Sequence, residues 1–351
     1  MTRRPRRGTG WAAGLALRLF VAAALLSGCT PVVLPAGPPN GMPNLRDDAI
    51  LARDGAALPL RRFPPEHAPR AVVLALHGFN DHAGNFLLDS LPLFGSSGLL
   101  IYAYDQRGFG RAPNRGYWAG AETLASDAAE AARLLRRRHP DLPLFVLGES
   151  MGAAVAILAA SSEEPPPVDG YVLVAPALWS RDAMPALMRG GLWLAARTIP
   201  VLSFQNTVSG VVASDNTEAL RRLGRDPLTI RTTRVDAAVG LVDLMDAAVA
   251  ALPRCCLDAQ GARLPTLMLV GAQDMVVPAR ATREALRNLP PETRPRVAVY
   301  PQGFHLLLAD RNRETVARDI LSFIAAPAAP LPSGADANLQ PWLDGQLNPG
   351  S

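Results

Sequence analysis

Six short apolar runs, separated by helix-forming or loop sequence, set the main limit on how this chain can fold. They are Val72–Leu76, Leu100–Tyr104, Leu144–Leu147, Gly170–Val174, Thr266–Val270 and Arg296–Tyr300. A strand with one wet face alternates apolar and polar residues. These runs are apolar almost throughout, the pattern of strands covered on both faces. Helix-like stretches lie between and after them, at Ala121–Arg138, Gly152–Ala160, Ala279–Asn288 and Arg313–Ala325. The alternation predicts an α/β fold: a mostly parallel central sheet with helices on both faces. Two earlier runs, Ala49–Arg53 and Leu58–Phe63, flank Asp54-Gly55 and read as a hairpin. In such sheets active groups gather beyond the C-terminal ends of the strands.

One strand leads straight into Gly148-Glu149-Ser150-Met151-Gly152, followed by small helix formers from Ala153. Strand, G-x-S-x-G, helix is the context of a nucleophile elbow, in which a tight turn pushes the serine out of the backbone. A serine at that place can also simply cap the helix, so its partners decide. Asp274 stands in the loop after Thr266–Val270, and His305 in the loop after Arg296–Tyr300. The chain order Ser150, Asp274, His305 lets all three meet at one sheet edge. A serine hydroxyl is too weak an acid to ionise alone and needs an adjacent base. His305 is the base, and Asp274 fixes its tautomer. Asp310 is the rival acid, but it lies where the last helix begins and suits capping better. An oxyanion hole needs two N–H groups; Met151 and Phe79, after His77-Gly78, are the candidates. His77 reads as a brace for its loop, and neither His77 nor His82 has a partner set for a metal. Asp105 and Arg107 read as an ion pair bracing neighbouring loops.

Residues 177–256 interrupt the strand–helix rhythm. They carry Trp179, Met184, Leu187, Met188, Leu192 and Trp193, then expected helices near Asn216–Leu223 and Val235–Leu252. An insertion of this length reads as a lid. Its Met and Trp side chains either line an acyl-chain cleft or pack the lid onto the core. Asp243 and Asp246 on the second helix read as solvated.

The segments "HGFNDH", "YDQRGFGRA", "GESMGAA", "LVAPAL", "GAQDMVVP" and "GFHLLLAD" occur in this order. Together they resemble the monoacylglycerol lipase and lysophospholipase branch of the α/β-hydrolases over roughly Arg46 to Ala325. The resemblance implies an α/β-hydrolase fold with a helical cap after the sixth core strand. It implies hydrolysis of a carboxylic ester of a monoacyl lipid, without metal or cofactor. Glu149 stands where this branch often has histidine, and Ala153 and Ala154 stand where a further glycine is common. Two other readings stay open: a serine aminopeptidase-type peptidase on the same fold, and a catalytically idle lipoprotein that binds an envelope partner. The peptidase would need cap acids for a substrate amine, with Glu218, Asp236 and Asp243 as candidates.

The N-terminus has the parts of an export signal. Arg3, Arg4, Arg6 and Arg7 precede the apolar stretch "WAAGLALRLFVAAALL", which is short for a membrane span and broken by Arg18. "LLSGC" then resembles the lipobox of bacterial lipoproteins. It implies cleavage before Cys29, lipid on that cysteine and, because Thr30 follows, an outer-membrane anchor facing the periplasm. Without residues 1–28 the chain has 30 basic against 31 acidic residues, a net charge of −1. No basic nucleic-acid footprint remains. The chain has no lysine, which excludes Schiff-base chemistry and a phosphate-loop lysine. Cys255 and Cys256 are adjacent, too close along the chain for ordinary disulfide geometry, and read as two buried thiols. The expected organisation is a signal peptide at 1–28 and a Pro/Gly-rich tether at 29–44. Core parts at 45–176 and 257–326 then flank the cap at 177–256, and a flexible tail occupies 327–351, with Trp342 and Leu343 as the two residues in it able to dock.

Overall fold

A computed structural model of the chain describes residues 30–206, 210–258 and 260–347. The signal segment and Cys29 lie outside the described residues. In chain order the first strands are β1 (Asn44–Leu45), β2 (Ala49–Leu51), β3 (Ala57–Phe63), β4 (Ala71–Leu76), β5 (Leu99–Tyr104), β6 (Leu144–Glu149) and β7 (Gly170–Val174). The short β8 (Ser203–Gln205) and β9 (Thr232–Arg234) follow, then β10 (Thr266–Gly271) and β11 (Arg296–Tyr300). The helices are α1 (Leu91–Ser96), α2 (Ala121–Arg138), α3 (Met151–Ala160), α4 (Ala186–Thr198), α5 (Thr217–Arg225), α6 (Val235–Ala251), α7 (Ala279–Arg287), α8 (Arg313–Ala325) and α9 (Leu339–Leu343).

Nine strands form one sheet in the order β1-β2-β3-β5-β4-β6-β7-β10-β11. β4, β5, β6, β7, β10 and β11 pair in parallel, while β1, β2 and β3 add an antiparallel edge. The six apolar runs are the six parallel strands, and in β4 to β7 and β10 every residue is buried. Alternate side chains serve two separate cores. Val72, Leu74 and Leu76 join α2, α3 and the cap helix α6 on one face; Val73 and Ala75 join α1 and α8 on the other. Cutting a side chain such as Leu74 back to alanine costs about 2–5 kcal/mol in a core of this kind.

The insertion between β7 and β10 carries α4, α5, α6 and a two-stranded ribbon of β8 and β9. α4 was not expected, because Gly190-Gly191 interrupts its helical pattern and glycine is a poor helix former. α6 buries Leu244 and Ala248 against the core, whereas α4 buries only Ala196.

Two expectations of looseness do not hold for the described residues. The segment expected as a tether adheres to the core: Val33 bridges to Trp118, Leu34 N–H donates to Trp118 O at 2.8 Å, and Asn40 and Gly41 donate to Arg53 O. Prolines lack a donor, but the residues between them keep theirs and find carbonyls. The segment expected as a flexible tail docks through α9, burying Trp342 and Leu343. Arg296 also donates to Pro327 O, Ala329 O and Asp336. Trp342 and Leu343 are the two residues that the sequence offers for docking, and the short helical turn of α9 presents both to the core.

Candidate active site

Ser150 sits between β6 and α3 with φ 52° and ψ −113°, a conformation that side-chain-bearing residues rarely adopt. Its neighbours explain how the turn is reached. A β-carbon on Gly148 would collide with the backbone of Gly152 and Ala153, and one on Gly152 with the carbonyl of Leu76 on the adjacent strand. Only glycine at both positions lets strand, turn and helix close this tightly. Ser150 N–H donates to Val174 O at 2.9 Å, tying the turn to β7.

The two expected partners arrive from the ends of β10 and β11. His305 Nε2 lies 2.9 Å from Ser150 Oγ, and His305 Nδ1 lies 2.8 Å from Asp274 Oδ2. The other Asp274 oxygen accepts the N–H groups of Val276 and Val277. With that oxygen so held, the carboxylate is fixed toward the imidazole. Histidine and aspartate side chains are each 5% exposed, so their interaction is little screened by water. Nδ1–H thus donates to Asp274, and Nε2 is left to accept the serine proton. Met151 is the first residue of α3 and lies beyond the reach of that helix's own hydrogen-bond ladder. Phe79 follows Gly78, which packs against Ser150: a β-carbon on Gly78 would stand 3.5 Å from Ser150 Cβ. Both expected N–H groups therefore belong to backbone adjoining the hydroxyl.

His77 braces its loop, as its position suggested. Its Nε2 accepts Gln106 N–H at 3.0 Å and its Nδ1–H donates to Gly78 O at 2.8 Å. Burial pushes the imidazole down to about 4, so it remains neutral. His82 accepts Gly84 N–H at Nδ1 and meets Asp226 of the cap at Nε2. Both rings are fully employed as hydrogen-bonding groups.

Three side-chain expectations need correction. Arg107 does not pair with Asp105; it makes paired bonds to Asp54 and to Asp127. Asp105 accepts the backbone N–H groups of Ala83 and Arg111 instead. Two residues apart on the same loop, Asp105 and Arg107 point to different sides. Asp310 does not cap α8, whose N-cap is Asn312. It is buried, accepts Ser214 Oγ–H at 2.6 Å and Phe304 N–H at 2.7 Å, and burial pushes it up to about 6. Asp243 and Asp246 are not merely solvated; both pair with Arg181.

Sequence reasoning missed how the cap holds the loops around the hydroxyl. Asn80, at φ 64°, donates to Thr233 and accepts Ile230 N–H. Leu306 N–H donates to Ala213 O, and Asn216 to Ala309 O. The signal at Asn80 was its residue type, since asparagine tolerates positive φ; its partners lie about 150 residues away and leave no local trace. Glu149, beside the serine, was noticed only as a departure from a pattern. It is 2% exposed with Oε1 unpartnered. Burial, then the nearby Asp81 and Asp310 carboxyls, push it well above the usual carboxylate range. Burial of this kind favours the protonated, neutral form of the carboxyl.

Comparison with known proteins gives the family and the fold. The family model described as serine aminopeptidase, S33 (Hydrolase_4), matches residues 67–312. The chain is 26% identical over 269 residues to a monoacylglycerol lipase of Mycolicibacterium smegmatis, covering 75% of this chain and 91% of that protein. It is 26% identical to the human monoglyceride lipase, covering 77% and 86%. Among solved structures it is similar to a monoacylglycerol lipase of Paleococcus ferrophilus, with a TM-score of 0.60 at 23% identity, covering 77% of this chain and 99% of that one. A soluble variant of monoglyceride lipase from Saccharomyces cerevisiae aligns with a TM-score of 0.63 at 17% identity, covering 86% and 99%. The chain is a serine hydrolase of the α/β-hydrolase fold and belongs to the Hydrolase_4 family, serine aminopeptidase S33.

Proposed function

We propose that this protein hydrolyses the carboxylic ester of a monoacyl lipid, a monoacylglycerol or a lysophospholipid, through a Ser150 acyl-enzyme. The observation that carries the reading is the unbroken relay Ser150–His305–Asp274 at 2.9 and 2.8 Å. His305 Nε2 takes the proton as Ser150 Oγ attacks the ester carbonyl. The N–H groups of Met151 and Phe79 receive the oxyanion, with the positive end of α3 behind them. His305 returns the proton to the leaving alcohol, and water then attacks the acyl-enzyme by the same route in reverse. No step calls for a metal or a cofactor.

The lipid part of the reading draws on two supports. Relatives from Mycolicibacterium smegmatis and human carry monoacylglycerol or monoglyceride lipase names, and the cap exposes Leu187, Trp193, Leu194, Leu202 and Phe204. So many large apolar side chains on one insertion suit an acyl-chain or membrane surface. The peptidase reading would want cap acids for a substrate amine. Asp236 is held by Arg234 and by Val32 N–H, and Asp243 by Arg181. A lipid anchor at Cys29 would adjoin Thr30, the first described residue. Thr30 and Pro31, which follow it, line an open groove of about 880 Å³ with Leu192, Trp193 and Ala196 of α4. Anchor and cap would then meet one membrane, the outer membrane facing the periplasm.

The deciding experiment is a substrate profile of the purified protein and its Ser150→Ala variant against monoacylglycerols, lysophospholipids, p-nitrophenyl esters and aminoacyl-anilides. The expected result is monoacyl-ester hydrolysis above all others, lost in the variant together with fluorophosphonate labelling. A variant that keeps activity would remove the serine mechanism; faster anilide cleavage would favour the peptidase. Radioactive palmitate incorporation that disappears in Cys29→Ser tests the anchor.

A further inference from the structure

The cap returns to the core through an unusual junction. α6 ends at Ala251, a single 3₁₀ turn covers Leu252–Arg254, and Cys255 and Cys256 follow before β10 begins at Thr266. Neighbouring side chains on an extended backbone point to opposite sides. Here Cys256 takes φ 61°, a left-handed conformation that costs a non-glycine residue about 1–2 kcal/mol. The result is that both side chains turn the same way. The two sulfurs stand 3.0 Å apart, closer than non-bonded sulfurs rest comfortably, and both residues are fully buried. Both thiols are free in this structure.

The surroundings suit one sulfur as a thiolate and the other as its acid. Arg263 Nη1 donates to Cys255 O at 3.2 Å and lies 3.7 Å from Cys255 Sγ. Its Nε and Nη2 are buried without a partner, so its charge is not spent on a carboxylate. The bond from Cys256 Sγ–H, and then Arg263, draw Cys255 down, while burial pushes Cys256 up. The turn is clamped on both sides: Leu264 N–H donates to Cys256 O at 2.8 Å, and Leu257 bridges to Arg263. None of these groups takes part in the proposed ester hydrolysis.

We propose that Cys255 and Cys256 are an oxidation site that closes to a vicinal disulfide and fixes the backbone turn at the cap's C-terminal root. The oxidant is a disulfide, protein-borne or glutathione, met while the chain folds and before the pair is buried. The Cys255 thiolate attacks one sulfur of the oxidant, forming a mixed disulfide and expelling the other sulfur as a thiol. Cys256 gives up its proton and attacks Cys255 Sγ, releasing the second oxidant sulfur as a thiol. Two electrons pass to the oxidant, and two protons from the pair end on its two thiols. In the cell this needs the oxidising compartment that the export reading supplies. The test below uses isolated protein and is independent of that reading.

The full chain is reduced and unfolded in urea, then either refolded by dilution into glutathione buffers of graded oxidised-to-reduced ratio, so that the oxidant is present before the pair is buried, or held in urea with the same buffers. Free thiols are blocked with N-ethylmaleimide under denaturing conditions. Trypsin cuts after Arg254 and Arg263 and frees both cysteines in one peptide. The expected product from the folded chain is that peptide lighter by two hydrogen atoms and carrying no maleimide. Because the fold holds the sulfurs together, half-oxidation should need a glutathione ratio lower by at least about tenfold than in urea. Two maleimides on the peptide at every ratio, or glutathione adducts without closure, would overturn the proposal. So would equal midpoints folded and unfolded, since mere adjacency would then explain the bridge. Cys256→Ser serves as the control: it should stop at a single glutathione adduct on Cys255, and a bridge-mass peptide from it would show the signal to be misassigned.

Discussion

Ser214 of the cap donates its hydroxyl to one oxygen of Asp310 at 2.6 Å, while the other oxygen accepts the N–H of Phe304, the residue before His305. A carboxyl outside the Ser150 relay therefore connects the cap to the loop that positions the imidazole. Ser214→Ala leaves the 1%-exposed Asp310 short of one donor, a loss of about 1–3 kcal/mol. Melting temperature should fall, and turnover of a soluble ester should drop by about tenfold as the loop loosens. Ser214→Thr should restore both. Normal turnover in a measurably destabilised Ser214→Ala protein would mean that the contact serves stability alone.

The choice between the two acids near His305 can be made kinetically. Asp274 Oδ2 holds Nδ1–H, and Asp310 touches only backbone and Ser214. Asp274→Asn offers the imidazole an amide and favours the wrong tautomer, a loss of about 10³–10⁴ in kcat. Asp310→Asn leaves the relay whole, so its loss should be smaller by about a hundredfold. Steady-state kinetics on one p-nitrophenyl ester compares the two directly, and a reversed ranking would reassign the acid.

Much of the fold was legible because its strands are read by composition alone. Leu74 and Val73 face opposite cores, and a run of five or six residues that is apolar at both phases, too short for a buried helix, fits a strand covered twice. The relay was legible for a related reason: Ser150, Asp274 and His305 each stand just beyond a strand, so topology brings them together. What stayed hidden depends on pairs distant in sequence with no local pattern. Arg107 passes over Asp105 to reach Asp54 and Asp127, and Ser214 reaches Asp310 across 96 residues. α4 was hidden for the opposite reason, since Gly190-Gly191 weakens a helix that only its place in the cap sustains.

Arg107 carries a stability prediction. Its guanidinium, 8% exposed, is shared by two carboxylates that are themselves 10% and 7% exposed. The bond from Arg107 holds Asp54 well below the usual carboxylate range. Arg107→Met would strand two buried negative charges, at a cost of about 3–5 kcal/mol. Adding Asp54→Asn and Asp127→Asn removes those charges and should recover part of the loss. Urea unfolding of the three proteins checks this. Specific activity of the folded Arg107→Met fraction should stay near normal, because Arg107 contacts no member of the relay.

The buried Glu149 predicts how stability changes with pH. Its carboxyl ionises near 4.5 in the unfolded chain and well above that when folded. The stability it permits is complete below pH 4.5 and is lost as pH rises toward the folded value, because only the unfolded chain releases the proton. Glu149→Gln removes that loss while keeping a neutral side chain of the same shape. From pH 5 upward the variant should gain on the parent by about 1.4 kcal/mol per pH unit until the folded carboxyl ionises. Other shifted groups act in both proteins and cancel in the difference. Burial raises Asp81 to about 6, removing stability as pH climbs to that value. His77, lowered to about 4, removes stability as pH falls from 6.5. Urea midpoints of the two proteins at pH 5, 6, 7 and 8, on the order of one-unit steps across the slope, measure the gap. A gap that stays constant would show that Glu149 is ionised in the folded protein and that some group other than burial alone governs it.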